Sequence, residues 1–145
     1  MSVFADSSAV VKLYLLEEGR ETVRAVDVIA VSWLTRVEVV SAIWAKERDG
    51  RISAGEARTL IRRVQADFHG SPAADPRFET VVLDQPVLEH AAELLAVYPL
   101  SSGDAIQLAS ALAARDADPG CRTFACFDGR LRDAAAKSGL ELLPA

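Results

Sequence analysis

Residues that commonly hold zinc or form disulfides are scarce in this sequence. The 145 residues include only two cysteines and two histidines. Cys121 and Cys126 have the spacing of neither a metal pair nor a redox motif, so we expect free core thiols on opposite faces of one strand. His69 and His90 lie far apart in the sequence, and we expect both at the surface. The shortage argues against a zinc enzyme and against a fold stabilised by disulfides.

Long apolar runs are missing as well. No uncharged apolar segment approaches the ~20 residues that a membrane-spanning helix needs. Residues 1–6 contain no basic side chain and already end on an acid, Asp6, which is unlike a secretory signal peptide. We therefore predict a protein of the cytoplasm. The sequence also lacks a glycine-rich phosphate loop, a GxSxG motif and a Ser-His-Asp order, which argues against the common nucleotide-binding and serine-hydrolase classes.

Negative charge outweighs positive charge. The sequence has 16 Lys and Arg residues and 21 Asp and Glu residues, for a formal net charge of −5. It therefore lacks the basic signature of a general nucleic-acid-binding protein. The balance suits a protein that gathers carboxylates around a divalent cation, because the cation would offset part of that charge.

The apolar residues that are present form a regular α/β pattern. Half of the sequence is hydrophobic, and short apolar runs alternate with segments of helical periodicity. The pattern predicts five strands, near residues 2–5, 28–32, 78–83, 122–127 and 140–143. Continuous apolar strands between helices are typical of a buried parallel sheet. We predict one α/β domain over residues 1–145, with three α/β/α layers around a five-stranded parallel sheet.

Four acids fall where such a sheet would bind a ligand, beyond the carboxyl ends of its strands. Asp6 follows the first predicted strand, Asp128 follows the fourth, and Asp104 opens the helix that precedes the fourth. Each of these three could instead cap its helix. Glu38 lies one turn into a helix, among valines, where we expect a buried carboxylate that no helix end explains. Buried acids of this kind are typical of functional sites.

Four converging carboxylates would repel one another unless a cation lay between them. Ligand sets made only of oxygen favour hard ions such as Mg²⁺ or Mn²⁺. The residues alone thus indicate a divalent-metal site formed by Asp6, Glu38, Asp104 and Asp128. Helix capping by the three aspartates is the alternative.

Four segments resemble the motifs of PIN-domain ribonucleases, in the order in which that family has them. The first covers residues 3–14 (VFADSSAVVKLY), and the second covers residues 32–38 (SWLTRVE). The third covers residues 102–112 (SGDAIQLASAL), and the fourth begins at residues 127–131 (FDGRL). Any one motif is weak evidence, but four in register along nearly the whole chain are specific.

The resemblance implies a PIN-like fold, an acidic pocket for one or two Mg²⁺ or Mn²⁺ ions, and RNA as the substrate. It implies that Asp6, Glu38, Asp104 and Asp128 are the catalytic and metal-binding residues, position by position. At this length the chain looks most like VapC-type toxins, metal-dependent endoribonucleases that dimerise and are neutralised by a cognate antitoxin. We therefore expect an antitoxin and a second copy of the chain as partners, and no membrane.

Two positions depart from the family pattern. Cys126 stands where members often have Thr or Ser, and a thiol is a weaker hydrogen-bond donor than a hydroxyl. Gln107 stands where a histidine is common. Neither change removes one of the four acids, so we expect an effect on the fine positioning of the site.

RNA would have to contact local basic patches, given the acidic total. Arg58 and Arg62 lie one turn apart on a predicted helix, for which a solvated helix face is the alternative. Arg130 lies beside the fourth acid and is a second candidate for RNA binding. The apolar residues 14–16 (Tyr-Leu-Leu) are candidates for an exposed surface at which a partner could dock.

Other protein classes fit the acids less well. A receiver domain needs adjacent acids at its first strand and a lysine after its last. A haloacid-dehalogenase-type phosphatase needs a second aspartate where Ser8 stands. The remaining alternative is a catalytically silent PIN-like binding or assembly module, and the presence of all four acids favours the enzyme.

Overall fold

Five short strands form a parallel sheet in the computed structural model of the protein, which describes residues 2–145. The strands are β1 (Ser2–Ala5), β2 (Val28–Ser32), β3 (Phe78–Val81), β4 (Thr123–Ala125) and β5 (Glu141–Leu143). Their order across the sheet is β3-β2-β1-β4-β5, and every neighbouring pair is parallel. The predicted five-stranded parallel sheet is confirmed.

Seven α-helices connect the strands and cover both faces of the sheet within residues 2–145. They are α1 (Ser7–Val10), which continues into a 3₁₀ turn (Val11–Leu13), α2 (Arg20–Arg24), α3 (Thr35–Arg48), α4 (Ala54–His69), α5 (Gln85–Val97), α6 (Ser102–Ala117) and α7 (Gly129–Lys137). The three α/β/α layers agree with the predicted fold class. β3 and β4 are shorter than predicted because their pairing with neighbouring strands ends before their apolar runs do.

The apolar residues of the strands divide between two cores, one on each face of the sheet. Phe4 and Phe124 pack on the face covered by α5, α6 and α7, with ring centroids 5.7 Å apart. Val3, Ala5 and Ala125 pack on the opposite face, which α1, α3 and α4 cover. Successive strand residues point to opposite faces, and because both faces are covered, most positions of the inner strands are apolar.

We had predicted that the two cysteines lie on opposite faces of one strand. In the structure they flank β4 and belong to the same core. Cys121 precedes the strand and Cys126 follows it, and both are free, buried and part of the core that contains Phe124. The prediction was wrong because it treated residues 122–127 as one regular strand. Regular alternation of side chains covers only Thr123–Ala125.

The predicted docking surface at residues 14–16 is largely buried. Tyr14 and Leu15 are only 5% and 6% exposed, whereas Leu16 is 87% exposed. The Tyr14 hydroxyl donates to Asp67 Oδ2 of α4 at 2.6 Å, which holds the ring inside the fold. Only Leu16 therefore remains available to a partner from this segment.

The carboxyl ends of β1, β2 and β4 lie at one edge of the sheet. The backbone N–H of Asp6 donates to the carbonyl of Ala125 at 3.1 Å, which joins the chain after β1 to the end of β4. The first turn of α6 reaches the same edge, since Gly103 lies beside the side chain of Glu38 on α3. The fold thus gathers the segments that carry the four predicted acids. No helix in the described part of the chain is long and apolar enough to cross a membrane.

Candidate active site

Asp6 caps the N-terminus of α1 and is almost completely buried, with 3% of its surface exposed. Its Oδ1 accepts from the backbone N–H of Ala9 at 3.0 Å and from the Ser8 hydroxyl at 2.7 Å. Its Oδ2 accepts from the Cys126 thiol at 3.2 Å. The capping role considered from the sequence is therefore present, but a cap requires neither burial nor a thiol donor.

Burial raises the pKa of Asp6 from an ordinary value of 3.8 to about 6, and the charge of Asp104 adds to the increase. Hydrogen bonds from Ser8, Cys126 and Ala9 lower the pKa without offsetting the burial. An ionised carboxylate in this position is unfavourable unless a positive charge lies nearby. Acids with raised pKa values are typical of functional sites.

Asp104 lies in the first turn of α6, and its electrostatic environment connects the four acids. Ser101 caps the helix by accepting from the backbone N–H of Asp104 at 3.2 Å. Burial raises the pKa of Asp104, and the charges of Asp128 and Glu38 raise it further. Asp104 in turn raises the pKa of Asp6. Asp104 is therefore close enough to each of the other three acids to interact with it electrostatically.

Asp128 is the exposed member of the set and caps α7. Its Oδ1 accepts from the backbone N–H of Leu131 at 3.0 Å. Its own backbone N–H donates to Cys126 Sγ at 3.4 Å, and the same thiol donates to Asp6 Oδ2. Cys126 thus connects the loop after β4 to the acid after β1.

Glu38 is less buried than the sequence led us to expect, and it does lie near a helix end. It occupies the first turn of α3 and is half-buried, and its neighbour Val37 is 68% exposed. Its hydrogen-bond partners are nevertheless internal, because Oε1 accepts from the Ser7 hydroxyl and from the Gln107 amide, each at 2.8 Å. Oε2 faces α6, where a Cβ added to Gly103 would lie 3.2 Å from it.

Sequence reasoning singled out Gln107 but did not predict its contacts with Glu38, and it missed the roles of Ser7 and Thr35. Gln107 Nε2 lies 2.9 Å from Thr35 Oγ1 and 3.0 Å from Ser7 Oγ, in addition to its contact with Glu38. The spacing offered a signal, since Thr35 precedes Glu38 by three residues and Gln107 follows Asp104 by three. Residues three apart on a helix share a face, so each of these side chains lies beside an acid.

The donor set at this edge fits a hard divalent cation. All four acids supply oxygen atoms, and the like charges that raise the pKa values of Asp6 and Asp104 would be offset by a cation. Among residues 2–145, no three His, Cys, Asp or Glu side chains lie close enough together to hold an ion between them. An ion at this edge would therefore be bound by one or two of these carboxylates and by several waters, as is common for Mg²⁺.

The candidate RNA-binding arginines lie in two separate places. Arg130 is exposed in the first turn of α7, two residues after Asp128. Arg58 and Arg62 are exposed on α4, where the Arg62 guanidinium donates to the Thr59 hydroxyl at 3.2 Å. The structure thus brings Arg130 beside an acid of the site and places the other two on a helix that packs against α3.

The chain is similar to known proteins in sequence and in fold. A family model described as the PIN domain matches residues 3–137. The chain is 33% identical over 147 residues to ribonuclease VapC45 and, separately, to ribonuclease VapC49, both from Mycobacterium tuberculosis. Each alignment covers 99% of this chain and 95% of the relative.

Solved structures share the fold at low sequence identity. The crystal structure of Mycobacterium tuberculosis VapC20, a sarcin-ricin loop cleaving toxin, matches with a TM-score of 0.61 and 19% identity over 91% of this chain and 94% of that one. FitAcB from Neisseria gonorrhoeae matches with a TM-score of 0.64 and 15% identity over 97% and 95% of the two chains. These likenesses establish the fold alone. The family model covers most of the chain, and two relatives align with nearly all of it. The chain therefore belongs to the PIN-domain family.

Proposed function

We propose that the chain is a divalent-metal-dependent endoribonuclease and the toxin of a toxin–antitoxin pair. The observation that carries the proposal is the position of Asp104, whose pKa responds to Asp128 and Glu38 and whose charge acts on Asp6. Interacting carboxylates beyond the strand ends of a parallel sheet are suited to metal-assisted hydrolysis of phosphodiesters. Two relatives that align with nearly the whole chain are named ribonucleases.

Mg²⁺ or Mn²⁺ is the cofactor that we propose for Asp6, Glu38, Asp104 and Asp128. When bound, such an ion supplies Lewis-acid activation of water and of the phosphate. The choice rests on the chemistry of the donors, because all four are carboxylates and ligand sets made only of oxygen favour hard ions.

The side chains of the protein itself would supply charge and position. Asp6 is held by three donors, so its carboxylate stays fixed at the edge of the sheet that carries the four acids. Glu38 is held at one oxygen by Ser7 and Gln107, which fixes the direction of the other oxygen. Asp128 is exposed and would therefore lie at the entrance, where the substrate arrives. Fixed groups lower the barrier because they do not have to be ordered during the reaction.

RNA would approach an acidic protein, so its contacts with phosphates have to be local. We assign Arg130 to the phosphate nearest the acids, because Arg130 is exposed and follows Asp128 by two residues. Arg58 and Arg62 would contact the strand farther away, since they are exposed one turn apart on α4. Recognition would then depend on the shape and unpaired bases of the RNA.

We also propose a homodimer that acts in the cytoplasm and is neutralised by an antitoxin. Leu16 borders a groove of about 840 Å³ whose walls include Leu60 of α4, two basic residues, Lys46 and Arg51, and one acid, Glu56. Such a groove suits an acidic, amphipathic segment of an antitoxin. A toxin–antitoxin complex from Klebsiella pneumoniae shares the fold, with a TM-score of 0.54 and 15% identity over 88% of this chain and 87% of that one.

The proposal is tested by RNA cleavage with the purified chain, freed of any antitoxin. Structured RNAs and total bacterial RNA are incubated in Mg²⁺, in Mn²⁺ and in EDTA. We expect discrete cleavage that requires metal and is abolished by Asp104→Asn, a change that keeps the backbone N–H that Ser101 accepts. Asp116→Asn is the matched control, because Asp116 is an exposed acid at the other end of the same helix.

One observation favours a second candidate, a catalytically silent binding module. In the described chain no three possible ligand side chains enclose an ion site, so the acids alone do not form a closed metal cage. A folded protein that binds neither Mg²⁺ nor Mn²⁺ and cleaves no RNA would support this candidate over the enzyme. Cleavage that Asp104→Asn abolishes would exclude it.

A further inference from the structure

We propose that Gln107 is a positioning residue that orients Glu38 for the divalent cation, an inference that rests on the proposed function. Gln107 is 1% exposed and lies one turn after Asp104 on α6. Its Nε2 lies 2.8 Å from Glu38 Oε1, 2.9 Å from Thr35 Oγ1 and 3.0 Å from Ser7 Oγ. A buried amide therefore connects α6 to the acid on α3.

The chemistry of the donors fixes the direction of this amide. An ionised carboxylate only accepts hydrogen bonds, so the nitrogen of Gln107, and not its oxygen, faces Glu38. The Ser7 hydroxyl donates to the same atom, Glu38 Oε1, at 2.8 Å. Two donors occupy both lone pairs of Oε1, so Oε2 is the oxygen left for a cation.

Glu38 Oε2 lies at the edge of the sheet that carries the four acids. A Cβ added to Gly103 would lie 3.2 Å from this atom, and Gly103 immediately precedes Asp104. The glycine therefore leaves room for the carboxylate between α3 and α6. Rotation of Glu38 about its last bond would exchange the two oxygens, and the hydrogen bonds from Gln107 and Ser7 oppose that rotation.

The buried position of Gln107 cannot be explained by a contribution to the stability of the fold. Its Oε1 is buried and has no hydrogen-bond partner among the described residues. An unsatisfied buried carbonyl destabilises a fold, whereas an apolar side chain of similar length would pack without that loss. The amide nitrogen is consequently the feature that gives this residue a role.

Outer groups that orient metal ligands typically change metal affinity by roughly 10–100-fold when they are removed. Gln107→Met keeps the length of the side chain and removes both amide hydrogens. We expect it to weaken Mn²⁺ binding by about 10–100-fold. Gln107→His restores a ring N–H donor, and we expect it to recover most of the affinity. Ser110→Ala is the matched control, since Ser110 is buried on the same helix and its hydroxyl has no hydrogen-bond partner within residues 2–145.

The experiment measures free Mn²⁺ by electron paramagnetic resonance during titration of the native 145-residue chain and the three variants. RNA cleavage and thermal unfolding in EDTA are recorded on the same preparations. The inference is supported if Gln107→Met loses Mn²⁺ affinity while Gln107→His and Ser110→Ala retain it, with all variants folded. Equal affinity in Gln107→Met and the native chain overturns it, as does the absence of Mn²⁺ binding by the native chain. Mn²⁺ binding that depends on Gln107 without any RNA cleavage would overturn the proposed function and leave the inference standing.

Discussion

The carboxylate of Asp6 is a charge that folding does not favour in the absence of a cation. Its pKa is raised to about 6 by burial and by Asp104, so the folded chain binds this proton more tightly than the unfolded chain does. Stability from this group is therefore present at pH values below about 4 and is lost as the pH rises through about 6. The difference in pKa corresponds to about 3 kcal/mol at neutral pH.

Asp6→Asn should stabilise the metal-free protein at neutral pH. Asparagine caps helices about as well as aspartate does, so the change removes the buried charge and keeps the cap. We expect the free energy of unfolding in EDTA at pH 7.5 to rise by about 2 kcal/mol, and the difference to disappear near pH 4. Urea denaturation at the two pH values measures both numbers.

Asp128→Asn is the control for that prediction, because Asp128 is an exposed cap on α7. We expect the free energy of unfolding of Asp128→Asn to differ from that of the native chain by no more than about 0.5 kcal/mol at either pH. If Asp6→Asn gave no gain at pH 7.5, burial of the Asp6 charge would not be the destabilising feature that its pKa indicates.

Cys126 should stabilise the ionised form of Asp6, because its thiol donates to Asp6 Oδ2 at 3.2 Å. Cys126→Ala removes this donor, and Cys121→Ala removes an equal volume from the same core without contact to the acid. Hydrogen bonds to charged groups contribute roughly 1.5–3 kcal/mol. We expect Cys126→Ala to be the more destabilising by about 1–2 kcal/mol at pH 7.5 in EDTA. Near pH 4, where Asp6 is protonated, the two variants should unfold at similar urea concentrations.

At the scale of helices and strands, periodicity was enough to find the elements. Apolar residues at all but one position of each of β1 and β2 indicate a sheet covered on both faces, and such burial favours a parallel arrangement. Strand ends were less accurate, as at β4, because an apolar run of residues 122–127 does not reveal where pairing with β1 and β5 stops. Hydrogen bonding between strands decides that limit, and it depends on the partner.

The candidate site could be predicted only as far as single positions. Asp6 and Asp128 each lie at the start of a helix directly after a strand, and Asp104 lies at the start of the helix before β4, so all three have a local signal. The hydrogen bonds at Glu38 come from distant parts of the chain, because Ser7 lies 31 positions from Glu38 and Gln107 lies 69 positions from it. Such contacts depend on how α1, α3 and α6 pack, so no local pattern contains them.

The exposed face of α4 offers a test of RNA binding by a single element. We expect the double variant Arg58→Ala, Arg62→Ala to weaken binding of single-stranded RNA and to lower the salt dependence of the affinity. Each lost phosphate contact should reduce the slope of log K against log salt by about 0.7. Fluorescence anisotropy in the Asp104→Asn background measures binding without cleavage.

Arg122→Ala is the matched control for the α4 pair. Arg122 precedes β4, at the edge of the sheet opposite the acids, and forms an ion pair with Glu141 at 3.2 Å. We expect its salt slope to equal that of the parent protein. An unchanged slope in the α4 double variant as well would assign Arg58 and Arg62 to a solvated helix face.

At the scale of the whole molecule, a net charge of −5 means that any cation stabilises the protein to some extent by screening. A specific site predicts a larger effect, because an ion that binds only the folded state adds about 2.7 kcal/mol at a concentration 100 times its dissociation constant. For a chain of 145 residues this corresponds to a rise in Tm of roughly 5–10 °C.

We therefore expect Mn²⁺ to raise the Tm at pH 7.5 well beyond the effect of NaCl at matched ionic strength. The increase should be small near pH 4, where Asp6 is protonated and its bound proton competes with the ion. It should also be lost in Asp104→Asn, because that change removes the acid that interacts with all three others. Differential scanning calorimetry across this series separates screening from binding. Equal gains from Mn²⁺ and NaCl would mean that the acids act only as helix caps and as surface charge.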